Sequence, residues 1–79
     1  MVTMYSTTWC SYCKRLKRSM DNEGVEYAEV NIEEDPAAAE LVMNANGGNR
    51  TVPTLIFEDG TALTNPSIAE VKSQLASIG

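Results

Sequence analysis

The sequence has no histidine, only two cysteines, and no apolar run approaching the ~20 residues that a membrane span requires. Each absence closes off a class of function. Without imidazole there is no histidine base and no metal site that needs a histidine ligand. Two cysteines are too few for a disulfide-stapled secreted miniprotein, and a bridge across so short a loop would restrain the unfolded chain only weakly. Basic residues are scarce as well. There are 6 against 11 acidic ones, a net charge of −5, so the molecule as a whole does not suit nucleic acid. Met1-Val2-Thr3-Met4-Tyr5 carries no basic stretch leading into a long apolar one, so no cleavable signal and no membrane association are expected. The expected setting is the cytoplasm, where thiols stay largely reduced.

What is there begins with an apolar content of 43%, ordinary for a globular domain, in a chain of 79 residues. That length makes one domain, expected over positions 1–79 and near the lower limit for folding on an apolar core. The chemistry is concentrated near the start. Trp9-Cys10-Ser11-Tyr12-Cys13 sets both cysteines three residues apart, directly ahead of Lys14-Arg15-Leu16-Lys17-Arg18. Four of the 6 basic residues lie in that run, whereas the acids are spread elsewhere, with a cluster at Glu33-Glu34-Asp35. If a helix opens after Cys10, this residue sits at the helix's positive end, where a thiolate is favoured. Cys13 then lies within disulfide reach, one turn in. A thiolate with a partner three residues away is the minimal equipment for exchanging disulfides. Cys10 is the candidate nucleophile, expected to be open to solvent and to the unpaired N–H groups of the first turn, while Cys13 is expected to be shielded and less acidic.

Val2 to Ser6 reads as a short buried strand, with Thr7-Thr8-Trp9 as the loop after it. The periodicity predicts a helix from about Ser11 to Asn22, with Cys13, Leu16 and Met20 on its inner face and Gly24 ending it. Glu26 to Ile32 alternates and reads as a second strand with Ala28, Val30 and Ile32 on one face. Asp35-Pro36 is a cap followed by a first-turn proline, opening a helix striped by Ala38, Leu41, Val42 and Ala45 and stopped at Gly47-Gly48. Thr54 to Phe57 reads as a third strand, Asp59-Gly60 as a tight turn, and Thr61 to Leu63 as a fourth strand. Ser67-Ile68-Ala69-Glu70 has capping-box form, and Ile68, Val71, Leu75 and Ile78 stripe the last helix. The order βαβαββα predicts an α/β fold whose first two strands are parallel and whose later hairpin is antiparallel.

Three features together resemble the glutaredoxins of the thioredoxin superfamily. They are Cys10-Ser11-Tyr12-Cys13 after the first strand, Thr51-Val52-Pro53 before the third, and the element order itself. The resemblance spans essentially the whole chain and implies a thioredoxin-like, four-stranded mixed sheet flanked by three helices. Within that superfamily the chain resembles the mycoredoxins, small actinobacterial proteins that use mycothiol, through Trp9 to Cys13, Asn46 to Pro53 and Leu63 to Ser67. Two departures from ordinary glutaredoxins stand out. The usual proline after the first cysteine is Ser11, and the Gly-Gly-x-Asp segment that holds glutathione's amino-acid end reads Thr64-Asn65-Pro66-Ser67. Mycothiol has an acetylated cysteine and a sugar-inositol body, so it lacks the ammonium and carboxylates that segment serves.

The resemblance therefore implies a thiol–disulfide oxidoreductase that reduces protein–mycothiol mixed disulfides. Mycothiol is its co-substrate, with no tightly bound cofactor and no metal. Its partners are S-mycothiolated or disulfide-bonded client proteins, and the chain is expected to be monomeric. Cys10 takes the role of nucleophile and Cys13 that of resolving or auxiliary thiol. Pro53 matches a cis-proline position, which would bring the Val52 backbone beside Cys10, and Tyr12 matches the tyrosine near the bound thiol. With Trp9, Arg50, Thr51, Thr64 and Asn65, these residues form the expected substrate-binding set. Simpler readings stand beside them: Trp9 as core packing, Arg50 as an idle loop residue, Thr64 and Asn65 as a lead-in to the last helix, and the basic run as a solvated helix face. Two other functions share the motif. One is a dithiol electron donor, for instance to ribonucleotide reductase, recharged by a flavoprotein reductase. The other is a metal or iron–sulfur module, for which one Cys-x-x-Cys supplies only two of the usual four ligands.

Overall fold

The computed structural model describes residues 2–78 and contains the expected elements in the expected order. These are β1 (Val2–Ser6), α1 (Ser11–Asn22), β2 (Tyr27–Asn31), α2 (Pro36–Ala45), β3 (Thr54–Ile56), β4 (Ala62–Thr64) and α3 (Ile68–Ile78). The strands form one mixed sheet in the order β2-β1-β3-β4. β1 runs parallel to β2, with Met4 beside Glu29, and antiparallel to β3, with Met4 beside Leu55. β3 and β4 are antiparallel, with Leu55 beside Leu63.

Alternation along β1 divides the core into two layers. Val2 and Met4 join Cys13, Leu16 and Met20 of α1, together with Leu55, Phe57 and Val71. Tyr5, pointing the other way, joins Ile32 and the Ala38, Ala39 and Val42 side chains of α2. Helices α1 and α3 thus cover one face of the sheet and α2 the other. The central strand β1 leads straight into Cys10, so the reactive loop is anchored at the best-packed part of the molecule. Among the described residues no helix is long and apolar enough to cross a membrane.

The helix starts follow their local chemistry. Asp35 Oδ1 accepts the N–H groups of Ala37 and Ala38 at 3.1 and 3.2 Å, with Pro36 in the first turn of α2. At α3 the Ser67 and Glu70 side chains exchange backbone bonds at 3.1 and 3.0 Å, the reciprocal capping box. Gly24 ends α1 at φ +71°, a region where a residue without Cβ has no steric penalty.

Three expectations shift. Leu41 is 50% exposed and Ala39 is buried in its place, because the small pair Ala38-Ala39 is the part of α2 that lies against the sheet. Ala28 stays exposed, since β2 pairs only with β1 and forms a sheet edge. The hairpin is displaced by one residue: Phe57 N–H donates to the Thr61 carbonyl at 2.9 Å, so both residues close the turn and the paired strands stop at Ile56 and resume at Ala62.

Candidate active site

Cys10 occupies the N-cap of α1 in an extended conformation, φ −80° and ψ 112°. A capping side chain normally offers oxygen to the free N–H groups of the first turn; here the acceptor is sulfur, and Sγ takes the Cys13 N–H at 3.1 Å. The sulfur thus takes the place of the usual capping oxygen at the start of α1. Cys10 is only 4% exposed, which corrects the expectation of an open thiol. It lies at the base of a surface depression of about 340 Å³ whose rim includes Trp9, Tyr12, Arg50, Thr51 and Val52. The depression forms a groove beside this sulfur.

Both rim aromatics stand out from the surface. Trp9 is 70% exposed and Tyr12 56%, so Trp9 is a wall of the site and takes no part in the core. Trp9 Nε1–H donates to Glu33 at 3.1 Å, and the Arg15 guanidinium sits 5.7 Å from the Tyr12 ring centroid. The opposite wall is backbone. The Val52–Pro53 peptide is cis, and the Cys10 thiol faces the Val52 carbonyl at 3.8 Å.

The loop carrying Val52 is held by one residue absent from the expected set. Asn46, the C-cap of α2, donates to the Thr54 hydroxyl at 3.0 Å and accepts from the Thr64 hydroxyl. The Thr54 hydroxyl in turn donates to the Thr51 carbonyl at 2.7 Å, and the Asn65 N–H donates to the Pro53 carbonyl at 2.7 Å. Thr51, Thr64 and Asn65 are therefore joined in one network around the Pro53 loop. Arg50 reaches the rim, and its Nε–H donates to Met43 Sδ at 3.4 Å. Asn46 enters the sequence reading only as the start of the Asn46 to Pro53 segment, because its partners lie 8 and 18 residues further on.

Cys13 is in a different setting. It is 1% exposed on the inner face of α1, and burial, with the Cys10 sulfur beside it, pushes its thiol up to about 12. Its side borders a second cleft, of about 460 Å³, shared with Thr7, Lys17 and Glu29. Glu29 accepts the Ser6 hydroxyl at 2.8 Å and pairs with Lys17 at 3.0 Å. Burial works to raise the Glu29 carboxyl, but these two partners outweigh it and hold it below the usual value. Among the described residues there is no group of three or more His, Cys, Asp or Glu side chains placed to hold a metal.

The raised Cys13 thiol has a measurable consequence. In a Cys10→Ser variant, where Cys13 is the only thiol and burial alone remains to raise it, alkylation at pH 8 is expected to run at least about tenfold slower than for a free cysteine. The sign follows from the shift. A thiol raised by burial stays protonated and inert through neutral pH, and reactivity appears only as pH climbs toward the raised value. Unfolding in denaturant should restore the rate of a free cysteine. Native alkylation already complete at pH 8 on the free-cysteine timescale would contradict this placement.

A sulfur capping a helix, a shielded second thiol one turn inward and a cis-proline wall accompany a clear likeness to known proteins. The profile of the glutaredoxin family matches residues 2–61. A Mycobacterium tuberculosis protein named as a glutaredoxin is 54% identical over 77 residues, covering 98% of this chain and 92% of that one. Mycoredoxin 1 of Corynebacterium glutamicum is 43% identical over 77 residues, covering 98% and 95%. Among solved structures, the glutaredoxin from Methanosarcina mazei superposes with a TM-score of 0.81 at 28% identity, covering 94% of this chain and 76% of that one. The fold is accordingly thioredoxin-like, and the chain belongs to the glutaredoxin family as a thiol–disulfide oxidoreductase with its Cys-x-x-Cys pair at Cys10 and Cys13.

Proposed function

We propose that the chain reduces protein–mycothiol mixed disulfides. The observation that carries this reading is the wall beyond Tyr12. The segment Thr64-Asn65-Pro66-Ser67 contains no carboxylate to receive an ammonium, and the Thr64 hydroxyl and Asn65 N–H are already bonded to Asn46 and Pro53. A ligand seated there meets hydroxyl and amide groups of this segment, with Arg15 and a Glu70 carboxylate already bonded to the Ser67 N–H at its edge, a setting that suits a sugar-inositol body and an acetylated cysteine better than glutathione's charged ends. A relative named mycoredoxin, similar over nearly its full length, supports the same reading.

In the reaction, the Cys10 thiolate attacks the mycothiol sulfur of the mixed disulfide. The client leaves as a thiolate, and Cys10 and mycothiol share the new bond. A second mycothiol attacks the mycothiol sulfur of that bond, returning Cys10 and forming mycothiol disulfide. Capture by Cys13 instead would give an internal disulfide and the dithiol route of an electron donor. The burial of Cys13 favours the first course, because it holds this thiol protonated and the thiol itself does not attack.

The test compares peptides blocked with mycothiol or with glutathione, each recharged by its own free thiol. Faster turnover with mycothiol is expected, and turnover with glutathione as fast or faster would sink the assignment. The Cys13→Ser variant should retain demycothiolation. If it loses activity, the internal-disulfide route and the electron-donor reading take over.

A further inference from the structure

We propose that the basic outer ridge of α1 is a docking strip for acidic residues flanking a client's disulfide cysteine. The inference rests on disulfide exchange at Cys10, and is independent of which small thiol recharges the site.

The charge on this helix is arranged against helix stability. A helix is stabilised by acids in its first turn and bases in its last, yet α1 has no acidic residue in its first turn and no basic residue in its last. Lys14 and Arg18, four apart, form a like-charge pair on one face. A merely solvated face gains nothing from this arrangement. In a chain of net charge −5, four of the 6 cations are gathered into the two turns that follow Cys10.

Burial of Cys13, Leu16 and Met20 turns Lys14, Arg15 and Arg18 outward. Lys17 is engaged by Glu29, and Arg15 stacks on Tyr12 at the rim of the groove. Lys14 and Arg18 have no ion pair among the described residues. Glu29 and Glu34 share the neighbouring cleft with Lys14, and Glu70 lies near Arg15 but is bonded to the Ser67 N–H, so the ridge is bordered by acids without being covered by them. Glu33 accepts from Trp9 at the groove and Glu34 lines the cleft beside Lys14, so a basic helix faces an acidic loop. An acidic segment is drawn to the first and turned away from the second.

The reach is set by geometry. Helical rise puts Arg18 about 12 Å along the axis from Cys10. An extended chain covers roughly 3.3 Å per residue, so the acids fall about two to four residues from the client cysteine.

The probe is a set of short one-cysteine peptides activated as 2-thiopyridyl disulfides and flanked by glutamates, glutamines or lysines. Cys10 attacks the peptide sulfur, one S–S bond replaces another, and pyridine-2-thiol leaves; rates are normalised to those with N-acetylcysteine. At low salt the glutamate peptide should react roughly tenfold faster than the lysine peptide, and the difference should vanish by about 0.5 M salt. In Lys14→Glu/Arg18→Glu the order should invert. The exchange puts an acid in the first turn but keeps a like-charge pair, so its melting temperature should stay within about 5 °C of the parent. Arg18→Glu alone should react with neutral 2,2′-dithiodipyridine at the unmodified rate. Equal rates for all peptides, or a preference that survives charge reversal, overturn the docking strip. Failure to react with dithiodipyridine at all would instead overturn the exchange chemistry itself.

Discussion

Replacing Cys10 with serine is expected to lower disulfide exchange by on the order of a thousandfold or more, because an alcohol is not ionised at neutral pH and cannot take up the disulfide sulfur. The fold provides an unusually clean control for this experiment. Cys10 is the N-cap of α1, and its side chain already accepts a first-turn N–H. Serine is among the preferred residues at that position, so the variant keeps the helix start and should melt no lower than the parent. Loss of activity then reports the missing sulfur, with unfolding excluded by the melting curve. Residual exchange above about a tenth of the parent rate would show that a second nucleophile carries the reaction.

The largest effect on stability is expected from Leu55→Ala. Leu55 is fully buried on an inner strand, flanked by Met4 and Leu63 and packed in the layer that also holds Cys10 and Cys13. Truncating such a side chain costs about 2–5 kcal/mol through lost transfer energy and the cavity left behind. A domain of this size has a total stability of roughly 4–12 kcal/mol, so the variant loses about a sixth of it at the least. The melting temperature should fall by roughly 10–25 °C. Leu41→Ala is the matched comparison, since the same atoms are removed from a side chain that is 50% exposed. It should cost less than about 1 kcal/mol. Equal losses at the two positions in thermal or denaturant unfolding would refute the division between core and surface.

That comparison also marks where sequence reading stops. The bounds of α1 and its inward face are legible because Cys13, Leu16 and Met20 repeat at helical spacing between a cap and a glycine. For α2 the stripe is ambiguous: alanines are too small to mark a face, so Leu41 competes with Ala39 and only contact with the sheet decides. The catalytic pair is legible as chemistry, since Cys10 and Cys13 at a helix start have few other uses. The depth of Cys10 is not, because burial at a cap depends on a loop from forty residues away folding over it. Nor does composition tell that Trp9 stands out in solvent, when a lone tryptophan beside a core strand reads equally well as packing. The role of Asn46 is hidden for a related reason: its bonds run to residues 8 and 18 positions later, and no local pattern announces them.

Those bonds bear on how ligand preference in this fold can be altered. Because one carboxamide fastens the end of α2 to both the proline loop and the fourth strand, the two sides of the groove are not separate modules. Grafting a foreign Thr64–Ser67 segment while leaving Asn46 in place takes the Thr64 donor from the Asn46 carboxamide oxygen. Re-engineering toward another low-molecular-weight thiol is therefore a matter of exchanging both segments and their shared amide as a single cassette.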